Sequence, residues 1–107
     1  MSLEKTVYIS QLFSFYKSLL TEKQRDMLSL YYEEDLSLSE IAEEFDISRQ
    51  GVHDNIRRGE KSLVDYERFL NLNDRRLKRM ELLNQLDHLV KDEEASKLIS
   101  QLLKLDE

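Results

Sequence analysis

Four side chains spaced four apart, Arg49, His53, Arg57 and Lys61, fall along one side of any helix that carries them. Gln50, Asn55 and Arg58 widen that polar surface, and Ser48 stands at its start. Arginine, glutamine and asparagine can make paired hydrogen bonds with base edges in the major groove, and cationic or hydroxyl side chains bind phosphate oxygens. The pattern points to nucleic-acid binding, with Arg49, Gln50, His53 and Asn55 on bases and Ser48, Arg57, Arg58 and Lys61 on phosphates. The same spacing also suits a charged helix face that meets only water. A second basic group, Arg75, Arg76, Lys78 and Arg79, admits the same two readings: phosphate contacts to DNA or RNA, or a solvated face.

Catalytic chemistry finds little support. The two histidines, His53 and His88, stand far apart, and neither has a partner at metal-ligand spacing, so no metal or cofactor is expected. Asp54 and Asp87 adjoin them, but neighbouring helical side chains are expected to point in different directions. Ser48 beside His53 is explained as a helix cap. Cysteine is absent, which excludes disulfides and thiolate chemistry, and no glycine-rich loop is present to cradle phosphates. The expectation is a protein that is not an enzyme. The opening MSLEKTVYIS lacks the pattern of a signal peptide, and no apolar run reaches membrane-spanning length, so a cytoplasmic protein with no membrane association is expected.

The elements that must position these groups are helices. Proline is absent, glycine occurs only at 51 and 59, and no stretch alternates long enough for a sheet, so the fold class is all-α. Residues 36–63 read as a helix-turn-helix. Ser37 with Glu40 forms a capping box; Leu38, Ile41, Ala42 and Phe45 mark one helical face. Ile47 is the hinge, Ser48 the next N-cap, and Val52, Ile56, Leu63 and Tyr66 the buried stripe. Upstream, a helix over 3–20 places Ile9, Leu12, Phe13, Tyr16, Leu19 and Leu20 on its core face. Thr21 with Gln24 caps another that runs to about Glu33 and turns Met27, Leu28 and Tyr31 inward.

Positions 52, 56, 59, 63, 66 and 70 keep heptad spacing, which fits packing within the chain or a seam with a second subunit. Gly59 on that line marks a close helix crossing or a weak point. Asn71 to Asp74 suggests a kink or turn, although an unbroken helix through Leu77 and Met80 also fits. Leucine-rich stripes at 82–90 and 98–103, with a fresh helix start at Asp92, complete the chain. The expected division is a helix-turn-helix domain at 1–70 and a C-terminal helical extension at 71–107. The extension holds more leucine than it can bury, so dimerisation or partner docking is expected there, with a homodimer preferred.

Charge is unevenly placed. Residues 1–48 hold four basic and ten acidic side chains, residues 49–80 nine and five, and residues 81–107 three and seven. An acidic body carrying a local basic face should bind a duplex weakly as a monomer, with strong dependence on salt.

The motif's residues also carry a resemblance. T-x-x-Q-R at Thr21–Arg25, S-x-x-E-I-A at Ser37–Ala42 and I-S-x-x-x-V at Ile47–Val52 resemble the helix-turn-helix of region 4 in sigma-70-type sigma factors. The chain resembles more narrowly the small YlxM-type proteins of Gram-positive bacteria, through MSLEKT, LFSFYKSLLTEKQ, LSLYYEEDLSLSEIAEE and SRQGVHDNIRR. That resemblance implies a DNA-binding or regulatory protein. It also implies a link to the signal recognition particle, through its GTPase or its RNA, drawn from the family's gene neighbourhood. A sigma-like subunit on RNA polymerase ranks last, because no promoter-melting domain is found in this chain.

Overall fold

Most of the helix starts are built from a side-chain oxygen that accepts an orphan backbone N–H, and the sequence supplies one at each of five places. In the computed structural model, which describes residues 2–106, Ser2 caps α1 (Leu3–Tyr16) and Thr21 caps α2 (Glu22–Tyr32). Ser37 caps α3 (Leu38–Phe45), Ser48 caps α4 (Arg49–Leu70), and Asp92 caps α6 (Glu93–Lys104). Both capping boxes form: Thr21 exchanges bonds with Gln24, and Ser37 with Glu40. Between α4 and α6 lies α5 (Leu72–Leu89), and no strand occurs among the described residues. The fold is all-α.

The first helix is shorter than its periodicity suggests. Beyond Tyr16 the chain tightens into a 3₁₀ turn over Lys17–Leu19, closed by the Leu20 N–H on the Lys17 carbonyl at 3.1 Å. Leu20 then adopts extended backbone because Thr21 must cap the next helix at once. Its side chain is thereby buried, while Leu19, expected in the core, is 53% exposed.

The turn between α3 and α4 closes as a Schellman motif. Asp46 takes the left-handed region at φ 53°, and the Ile47 N–H returns to the Ala42 carbonyl at 3.1 Å. Asn71 does the same work after α4 at φ 57°, with its N–H on the Glu67 carbonyl at 2.8 Å. The unbroken helix through Leu77 and Met80 is therefore not formed; α4 and α5 are separate helices.

Contacts divide the chain into two units, one up to Asn71 and one from Leu72 onward. In the first, α1, α2 and α3 all pack on α4. Ile9, Leu12, Phe13, Met27, Leu28, Ile41, Val52, Ile56 and Leu63 form its core. The heptad line of α4 is thus consumed by its own chain as far as Leu63, with Tyr66 packed at the edge and Leu70 exposed. Gly59 marks a close crossing: a Cβ there would lie 2.6 Å from Leu28 Cδ1. In the second unit α5 and α6 run antiparallel, registered by hydrogen bonds from Arg79 to Asp106 (2.7 and 2.9 Å) and from Ser96 Oγ to Asp87 (2.8 Å).

Two carboxylates on α4 turn inward. Glu67 accepts from the buried Tyr16 hydroxyl at 2.6 Å, and Glu60 accepts from the Tyr32 hydroxyl. These bonds satisfy groups whose burial would otherwise be costly. They also settle Tyr32 as a half-buried core-edge residue.

Candidate nucleic-acid interface

The front of α4 is free because its other face is occupied. Val52, Ile56, Gly59, Glu60, Leu63 and Glu67 all lie on the buried side, which leaves the opposite surface to solvent. Arg49, Gln50, Arg57, Arg58 and Lys61 are exposed there, and Ser48 caps the helix with its Oγ 2.9 Å from the Gly51 N–H. His53 is half-exposed at the edge of the same surface. Among the described residues Arg49, Arg57 and Lys61 form no hydrogen bond or ion pair, so their cations are available. No acidic residue occupies the first turn, which leaves the positive end of the helix dipole uncompensated beside Arg49.

Asn55 is not brought to this line. Its position lies around the helix from His53, and its amide donates to the Gly51 carbonyl at 2.8 Å while its oxygen accepts from Arg58 at 3.3 Å. Gln50 is on the surface but engaged, donating to Asp54 at 3.0 Å. Asp54 also bends toward His53, with Oδ1 3.5 Å from Nδ1. Neighbouring side chains do converge here, contrary to the sequence expectation, because both are long enough to lean together over an exposed face. Among the described residues no cluster of three metal-ligating side chains is found.

The sequence count understates how basic this face is. Helix α4 holds five basic and four acidic residues, but Glu60 and Glu67 are buried and Asp65 pairs with Arg68 at 3.2 Å. Asp54, engaged by Gln50 and His53, is then the acidic side chain left exposed on the cation-bearing front. Sequence reasoning missed Glu60 and Glu67. Their seven-residue spacing beside the apolar stripe was the available signal, but their tyrosine partners lie 28 and 51 residues away.

The neighbouring α3 surface is acidic, with Glu40, Glu43 and Glu44 exposed. The Ser37 backbone N–H and hydroxyl hold the Glu40 carboxyl below its usual range. In the second basic group Lys78 pairs with Asp74 at 3.0 Å and Arg79 is clamped by Asp106, which raises the guanidinium and lowers the carboxyl.

This geometry, a capped second helix with an exposed basic front docked on three supporting helices, agrees with a match to known sequences. The family model described as "Putative helix-turn-helix protein, YlxM / p13 like" matches residues 3–103. The chain belongs to this family. Relatives include the UPF0122 protein YlxM of Bacillus subtilis, 50% identical over 99% of this chain and 100% of that protein. A UPF0122 protein of Halalkalibacterium halodurans is 52% identical over 95% of this chain and 94% of its own length. One from Bacillus cereus is 54% identical over 86% and 84%. The YlxM/p13-like match thus spans both units and includes every candidate contact residue. No helix among the described residues is long and apolar enough to cross a membrane.

Proposed function

We propose that the chain is a cytoplasmic, non-catalytic regulator that binds duplex DNA as a homodimer, with the front of α4 in the major groove. The observation that carries this reading is the exposed, unpaired set Arg49, Arg57 and Lys61 on a helix whose opposite face is fully packed. Arg49 and His53 stand nearest the bases, with Gln50 able to join them by leaving Asp54; Arg57, Arg58 and Lys61 bind phosphates, and Ser48 adds its hydroxyl at the helix start. Asn55 serves by fixing Arg58 and has a lesser part at the bases. Selection from a randomised duplex pool across a salt series tests the reading. Arg49→Ala should abolish sequence preference with the fold retained by circular dichroism; unchanged preference would refute the assignment.

A second reading is favoured by the acidic α3 surface and by Asp54 at the front of α4. In it the helix-turn-helix is a scaffold, and the chain binds the signal recognition particle, through its RNA or its GTPase, using Arg75, Arg76, Lys78 and Arg79. Lys78 and Arg79 would first have to leave Asp74 and Asp106. The particle RNA as a parallel ligand separates the two. Retention of RNA over DNA, lost when these four residues are reversed to glutamate, would favour the particle.

A further inference from the structure

Among the described residues the α5–α6 hairpin buries a single large apolar side chain, Ile99, and leaves leucines 82, 86, 89, 98, 102 and 105 between 46% and 79% exposed. A helical pair of this size cannot hold itself together on so small a core. The exposed leucines are not scattered. Leu82, Leu86 and Leu89 recur at four and three residues on α5, and Leu98, Leu102 and the C-cap Leu105 repeat that spacing at α6, while Leu72 and Leu77, each 42% exposed, lie outside these lines. The bonds Arg79–Asp106 and Asp87–Ser96 fix the antiparallel register. In that register both leucine lines lie on the same side of the hairpin. The level midway between Leu82 and Leu86 falls beside the level midway between Leu98 and Leu102.

We propose that this leucine face is the seat of a second copy of the chain, and that two hairpins close into an antiparallel four-helix bundle. The inference deepens the homodimer of the preceding reading but is tested without nucleic acid, so either can fail alone. Charge selects the geometry. The open end of the hairpin carries Arg75, Arg76, Lys78, Arg79 and Lys104 against Asp74, Glu81 and Asp106, two of which pair with Lys78 and Arg79. The loop end carries Asp87, Asp92, Glu93 and Glu94 against Lys91 and Lys97, so the two ends keep opposite net charge. A two-fold axis running across the hairpin from α5 to α6 lays α5 on the partner's α5 and α6 on the partner's α6. Each pair is then antiparallel, Leu82 meets the partner's Leu86, Leu98 meets the partner's Leu102, and the basic end faces the acidic end. An axis parallel to the helices would instead stack the two basic ends together. Each contact then occurs twice, 82 on 86 and 86 on 82, as an isologous interface requires.

Sedimentation equilibrium of the full chain, free of nucleic acid, should show a dimer. Leu86→Glu with Leu102→Glu should weaken its dissociation constant by about 100-fold or more. Because the chain has no cysteine, oxidation of mixed Leu82→Cys and Leu86→Cys chains gives an independent readout. They should form a disulfide-linked dimer, whereas mixed Leu82→Cys and Leu102→Cys chains should not. A monomer at every soluble concentration, a dimer indifferent to the double glutamate variant, or cross-linking of 82 to 102 in place of 86 would each overturn the proposal.

Discussion

At the residue scale the unusual feature is a pair of glutamates on the buried side of the principal helix. Each is held by a tyrosine hydroxyl, Glu60 by Tyr32 and Glu67 by Tyr16. Burial, and then the Glu60 carboxylate beside it, push the Tyr32 phenol far above its usual range. The folded chain therefore favours the neutral phenol, and the sign follows from linkage. Stability from this group is fully present below about pH 10, where an unfolded tyrosine is also neutral, and is lost as the pH rises above that value toward the folded one. Tyr32→Phe removes the dependence and leaves Glu60 short of a donor. Urea unfolding should show it less stable at neutral pH by about 1–3 kcal/mol. Its stability should also decline less steeply than the parent's above about pH 10. An equally steep alkaline decline in the variant would mean that another tyrosine governs it.

At the element scale the crossing of α2 over α4 depends on Gly59. Glycine costs about 1 kcal/mol relative to alanine inside a helix, so its presence at the centre of α4 requires a reason. Leu28 supplies it, since its side chain is fully buried and its Cδ1 would lie 2.6 Å from an added methyl group, so it would have to shift within the core. Overpacking of a filled core costs about 1–3 kcal/mol, more than the helix gains. Gly59→Ala should therefore lower stability by about 1 kcal/mol in thermal or denaturant unfolding. Shortening the opposing residue with Leu28→Val should make the double variant less destabilised than the sum of the two singles. Additive losses would show that the crossing is not set by this contact.

At the scale of the whole molecule, the acidic balance of −6 coexists with a basic front because the fold sorts charge by face. Turning Glu60 and Glu67 inward and pairing Asp65 with Arg68 leaves Arg57, Arg58 and Lys61 dominant along that surface. DNA affinity should then fall linearly with the logarithm of salt concentration. Arg57→Ala and Lys61→Ala should each reduce the slope by about 1 while leaving sequence preference unchanged. Fluorescence anisotropy over a salt series measures this directly; a slope unchanged by both substitutions would remove these residues from the phosphate contacts.

The sequence by itself determined whatever depends on near neighbours. Ser37, Thr21 and Asp92 start helices because each cap bonds an N–H two or three residues on, and Asn71 ends one because it tolerates the left-handed backbone. The family was legible for the same reason, in motifs of a few residues. What only the tertiary structure decided rests on contacts across long separations. Tyr16 reaches Glu67 across 51 residues and Tyr32 reaches Glu60 across 28, and nothing local to either end announces the other. The loss of Leu19 from the core, with Leu20 kept there as expected, followed from fitting a tight turn between two helices that share one hydrophobic surface. Periodicity shows that a helix has an apolar face; packing decides how far that face extends and which charges it draws inside.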